Sequence, residues 1–118
     1  MLTVFALVLA VASPTRLAIE PWTGPNLSTA TSTAIRYRLH VSGASHASLT
    51  LRADRLAKGW LAAFCTPKVC APLRVDVTLP QSGRALYQFE LIREDPVAAP
   101  RSGARISSSD GASITLSP

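Results

Sequence analysis

Alternation with a period of two runs through most of this chain, and no other feature restricts its fold as much. In "AIRYRLHV" (34–41), Ile35, Tyr37, Leu39 and Val41 share one side while Arg36, Arg38 and His40 share the other. "LRVDVTL" (73–79) sets Leu73, Val75, Val77 and Leu79 against Arg74, Asp76 and Thr78. "ALYQFEL" (85–91) aims Tyr87, Phe89 and Leu91 inward and sends Gln88 and Glu90 to solvent. "ASITLS" (112–117) turns Ala112, Ile114 and Leu116 in. Successive side chains of a strand point to opposite faces, so each run is a strand buried on one side only. One-sided burial of this kind belongs to antiparallel sheets.

The punctuation between the runs agrees. "SGAS" (42–45) joins two strands, "PQSG" (80–83) is a turn, and "SSDG" (108–111) carries an Asp-Gly hairpin signal. Shorter strand candidates are "RLAIE" (16–20), "ASLTLR" (47–52), "WLAAFC" (60–65) and "ARISS" (104–108). "DPVAAPRSG" (95–103) is a longer loop whose prolines resist regular structure. Short strands with frequent turns make an all-β sandwich or barrel. One stretch carries a second pattern. Ala53, Leu56, Ala57, Trp60, Leu61 and Phe64 also fit a helical stripe, with Gly59 inside it at a cost of up to about 1 kcal/mol relative to Ala.

The first residues, "MLTVFALVLAVAS", are apolar and carry no charged side chain. A membrane-spanning helix needs about 20 apolar residues, and this run is shorter. Ala10-Val11-Ala12 supplies the small-x-small pattern of a signal-peptidase site. The expectation is a secretory signal peptide over 1–12 and a single domain over 13–118, a length suited to one sandwich of roughly 100 residues. The leader lacks the usual Lys or Arg before its apolar core; the competing reading is a buried N-terminal element. No second apolar segment suits a membrane span. "NLS" (26–28) is a formal glycosylation acceptor at Asn26.

Lys and Arg number 12 against 7 Asp and Glu, a net charge of +5. The cations are scattered from Arg16 to Arg105, without the stripe of cations and stacking aromatics that nucleic-acid binding uses. A nucleic-acid partner is not expected. A solvated basic face is, with weak attraction to anionic glycans or envelope surfaces.

Catalytic constellations are thin. The chain has no G-x-S-x-G elbow and no glycine-rich phosphate cradle. The two histidines, His40 and His46, fall on a polar strand side and at a strand entrance. Glu94 and Asp95 precede Pro96 in a loop. No catalytic residue, cofactor or metal ligand is assigned.

Both cysteines lie in "GWLAAFCTPKVCAPL" (59–73), as Cys65 and Cys70. C-x4-C departs from the C-x-x-C of thiol oxidoreductases, and one cysteine pair is half of a structural zinc set. A disulfide between Cys65 and Cys70 is the leading reading, in keeping with an oxidising compartment. The alternative is a periplasmic metal- or thiol-handling carrier using Cys65, Cys70 and a histidine.

The order of segments "LAIEPW" (17–22), "AIRYRLHVSGAS" (34–45), "ASLTLRADRLAKGW" (47–60), "CAPLRVDVTLPQSG" (70–83) and "YQFEL" (87–91) resembles bacterial secreted immunoglobulin-like domains, including the NPCBM-associated type found beside glycosidases. Gly59-Trp60 is the best local match; "SGAS" stands where that family carries an Asn-x-Gly turn. The resemblance implies an immunoglobulin-like antiparallel β-sandwich of seven to eight strands and favours a strand over a helix at 53–64. It implies no catalytic residue. Trp60, Phe64, Tyr37, Tyr87 and Phe89 are expected to supply much of the core. The functional expectation is a non-catalytic secreted or periplasmic module that binds a protein or a cell-envelope glycan. Its candidate surfaces are Arg36, Arg38 and His40, the loop 93–103, and Trp22 as a glycan contact. Trp22, between Pro21 and Pro25, is expected to pack across an open end of the sandwich.

Overall fold

A computed structural model describes residues 15–24 and 34–118. The expected signal peptide (1–12) and the acceptor Asn26 lie outside these residues. Nine strands are found among them: β1 (Arg16–Pro21), β2 (Ala34–Ser42), β3 (Ser48–Asp54), β4 (Trp60–Cys65), β5 (Cys70–Pro72), β6 (Arg74–Thr78), β7 (Arg84–Arg93), β8 (Ala104–Ser108) and β9 (Ser113–Leu116). They form two antiparallel sheets, in the orders β1-β2-β7-β4-β5 and β6-β3-β8-β9.

The chain is an all-β sandwich. The seven strands β1, β2, β3, β4, β7, β8 and β9 reproduce the constant-type immunoglobulin layout, four strands in one sheet and three in the other. β5 and β6 are an insertion between the fourth and fifth strands of that layout. Their origin lies in "CAPLRVDVTL", whose alternation reads as one strand. Leu73 instead has φ of +63°, and the chain steps there from the edge of one sheet to the edge of the other. Leu73 was expected inward; at this corner it is 42 % exposed.

The inner faces meet in one apolar cluster. Leu39, Val41, Phe64, Phe89 and Leu91 come from the first sheet, and Leu49, Leu51, Val75, Val77 and Ile106 from the second. Phe64 and Phe89 are register partners on β4 and β7, fully buried, with ring centroids 5.1 Å apart. Each fully buried side chain of this size is worth about 1.5–3 kcal/mol. Trp60 and Tyr87 are buried and Tyr37 is partly so, all contributing to the core as expected. Burial also pushes the Tyr87 hydroxyl pKa up.

The stretch 53–64 is strand, loop and strand rather than helix. Gly59 decides this, with φ of +87°, a left-handed value that ends any helix and starts β4. A Cβ at Gly59 would lie 2.6 Å from the Ala98 Cβ, so the glycine also lets the loop 93–103 close down on β4. Trp60 Nε1 donates to the Ala99 carbonyl at 2.7 Å, and the Arg93 guanidinium donates to the carbonyls of Pro96 and Ala98. That loop is therefore tied to the framework, although Val97 at its tip is exposed.

Candidate functional site

Antiparallel register sorts the outer face of the five-stranded sheet into rows. Glu20 lies opposite Arg38, Arg38 opposite Gln88, Gln88 opposite Cys65, and Cys65 opposite Cys70. One row thus crosses all five strands. The next row holds Arg36, Glu90 and Ala63; the row on the other side holds Ala18, His40 and Leu86. Trp22 N donates to the Arg36 carbonyl at 3.1 Å, and strand alternation places the indole on this face beside Arg36. Trp22 thus follows the end of β1, next to the Arg36, Arg38 and His40 face. Its Nε1 donates to the Gly24 carbonyl at 3.2 Å.

The cations are braced by carboxylates. Arg36 Nε lies 3.3 Å from Glu90 Oε2, and Arg38 Nε lies 3.8 Å from Glu20 Oε2. His40 Nε2 contacts the same Glu20 oxygen at 2.5 Å, and Arg38 also donates to Thr23 Oγ1 at 2.9 Å. The Glu20 and His40 side chains are largely exposed.

The centre of the face departs from its sequence pattern. Gln88 and Glu90 were expected in solvent, but they are 0 % and 2 % exposed. They do point to the outer face, as alternation requires; that face is covered at β7, the third of five strands. Among the described residues, neither Nε2 nor Oε1 of Gln88 has a hydrogen-bond partner, and Glu90 Oε2 has the Arg36 ion pair without a hydrogen bond. A buried polar atom without a partner costs about 1–3 kcal/mol. Nothing in "YQFEL" distinguishes this from an ordinary solvated side, because strand periodicity reports direction and not cover.

The cysteines close one end of the central row. Cys65 and Cys70 are bonded, with S–S of 2.12 Å and a Cα separation of 4.0 Å. This separation is below the usual 4.4–6.8 Å because the two residues sit directly opposite in the β4–β5 ladder. Thr66 N donates to the Val69 carbonyl at 2.7 Å, leaving Pro67 and Lys68 as a two-residue turn. Cys65 is buried and Cys70 exposed. In this bonded state neither is a thiol ligand or nucleophile. Among the described residues, no group of three or more His, Cys, Asp or Glu could hold a metal ion. His46 has φ of +59° in the β2–β3 turn.

The site is thus a broad hydrogen-bonding face with arginines, a histidine and one indole. Comparison of the chain with protein-family models, curated proteins and solved structures finds no match.

Proposed function

We propose that this chain is a non-catalytic secreted or periplasmic immunoglobulin-like module. It binds a protein or a cell-envelope glycan through the outer face of its five-stranded sheet. The observation that carries this reading is the gathering of Trp22, Arg36, Arg38 and His40 beside one another on one sheet. Planar guanidinium and indole groups give directional recognition of hydroxyl, carboxylate or peptide groups. The apolar leader and the disulfide support an oxidising, extracytoplasmic setting.

The test is co-sedimentation of the purified protein with washed cell envelopes of its source organism. The wild type is expected to pellet with the envelopes. A Trp22→Ala/Arg38→Ala variant should lose at least about tenfold in affinity, as for hot-spot aromatic and arginine residues. Arg52→Ala, on the other sheet, should bind as wild type. Absence of binding, or equal loss in both variants, would remove the assignment to this face. Fractionation supplies a second check: the protein should be outside the cytoplasm and shortened by its leader.

A further inference from the structure

A different part of the molecule, independent of the face just described, carries a proposal of its own. β6 is one of the two edge strands of the four-stranded sheet, with β9 at the other edge. Two bonds bracket its ladder with β3: Ala53 N to the Leu73 carbonyl at 3.0 Å, and Leu79 N to the Ala47 carbonyl at 2.8 Å. Antiparallel backbone groups alternate in direction, so Val75 and Val77 bond toward β3. Arg74, Asp76 and Thr78 therefore turn their N–H and C=O groups outward, and among the described residues no strand lies beyond them in the sheet.

This edge is an open template for another strand. It is short and carries two charges of opposite sign, but it contains no proline and no bulge, and Leu73 at its start is exposed. Val69, on the neighbouring β4–β5 hairpin, is also exposed. On its inner side the edge opens into a cleft lined by Pro67, Lys68, Val77 and Tyr87.

The charges on the edge select an occupant. Only pairings that match outward-turned residues form hydrogen bonds, so a second β6 running antiparallel has few registers available. A register centred on Asp76 places two carboxylates opposite each other. One centred on Arg74 places two guanidinium groups together. Arg74 and Asp76 already lie 3.9 Å apart within each copy, and a register centred on Val75 sets Arg74 of each copy against Asp76 of the other, so the four charges alternate in sign and four backbone hydrogen bonds form. Like charges directly opposite destabilise a strand pair, and opposite charges stabilise it.

We propose that two copies of this chain associate edge to edge through β6, antiparallel about a twofold axis at Val75. The two four-stranded sheets then run on as one continuous sheet. The contact is isologous and closes on itself, since each β6 edge is used once.

Sedimentation velocity and equilibrium over a range of protein concentrations test this. The wild type should pass from the mass of one chain to twice that mass as concentration rises. Arg74→Asp alone and Asp76→Arg alone should each weaken the dimer at least tenfold. The double variant, which restores opposite charges in the same register, should return to within about threefold of wild type. Asp76→Pro removes an outward N–H that β3 does not use and should leave a monomer. Asp76→Asn should weaken the dimer; strengthening would mean a register centred on Asp76 and would overturn the proposal. A circular-dichroism melt of each variant separates lost association from lost folding. A wild type that stays at the mass of one chain throughout, or a dimer indifferent to the single charge reversals or to Asp76→Pro, overturns it. Capture of an unrelated extended peptide at this edge without self-association overturns it equally.

Discussion

The outer faces of the two sheets are built from the same alternation and end in different physical states. On the four-stranded sheet the outward groups are exposed and paired in the open. Thr50 Oγ1 donates to Asp76 at 2.7 Å, and the Arg105 guanidinium grips both oxygens of Asp54 at 2.9 and 2.6 Å. That fork holds the Asp54 pKa below the usual carboxylate value and lifts that of Arg105. On the five-stranded sheet Gln88 and Glu90 are buried, and their hydrogen-bonding capacity is incompletely used. Water can satisfy the first face and is excluded from the centre of the second. The contrast shows that polarity in a strand marks which side a residue takes and leaves its solvation open.

Substitutions sharpen or break this contrast, and chemical denaturation measures each. Glu90→Ala should have the largest effect, a loss of about 2–3 kcal/mol. It strips Arg36 of its buried counter-charge, and the cost is reduced because that arginine is partly exposed. A loss near zero would mean that the face is as wet as its counterpart. Replacing Cys65 and Cys70 together by Ala should cost about 2 kcal/mol, the chain-entropy value for so short a loop. Gln88→Leu should raise stability by about 1 kcal/mol, because it removes a donor and an acceptor that lack partners while filling similar space. A fall in stability would show that the amide is satisfied and would dissolve the difference between the faces.

Two smaller effects complete the series. Asp110 accepts hydrogen bonds from Ser108 Oγ and Thr15 Oγ1, and these donors hold its pKa below the usual carboxylate value. A depressed folded pKa contributes stability at pH values above the unfolded one, and that contribution is lost as pH falls through the folded one. Asp110→Asn should therefore be less stable than wild type at neutral pH. The difference should shrink progressively below about pH 4. Thr50→Val, on the open face, should change stability by no more than about 0.5 kcal/mol. A change as large as that of Glu90→Ala would show that the second face, too, depends on its polar contacts.

Much of the framework is legible in the residues. β1, β2, β4, β7 and β8 fall where alternation and turn residues put them, and the Asp-Gly of "SSDG" makes the β8–β9 hairpin. The cysteine pair is bonded as its spacing and apolar leader suggest. Three points are not legible. The break at Leu73 is invisible because a left-handed residue inside "LRVDVTL" leaves the alternation intact. The helical stripe at 53–64 competes on periodicity alone, and Gly59 packing against Ala98 resolves it only once the loop 93–103 is in place. Trp22 comes next to the arginine face because β1 pairs with β2 in a register that sets Glu20 against Arg38.

Local pattern thus suffices for an all-β chain, the direction of nearly every strand side chain, and the disulfide. Each depends on short-range periodicity or on residues five apart. Which outward side chains meet water, which strands are left as edges, and which cations share a face are set by how the sheets assemble. Those outcomes depend on strand order and register between segments distant in the chain. Local alternation is the same for a central strand such as β7 and an edge strand such as β6.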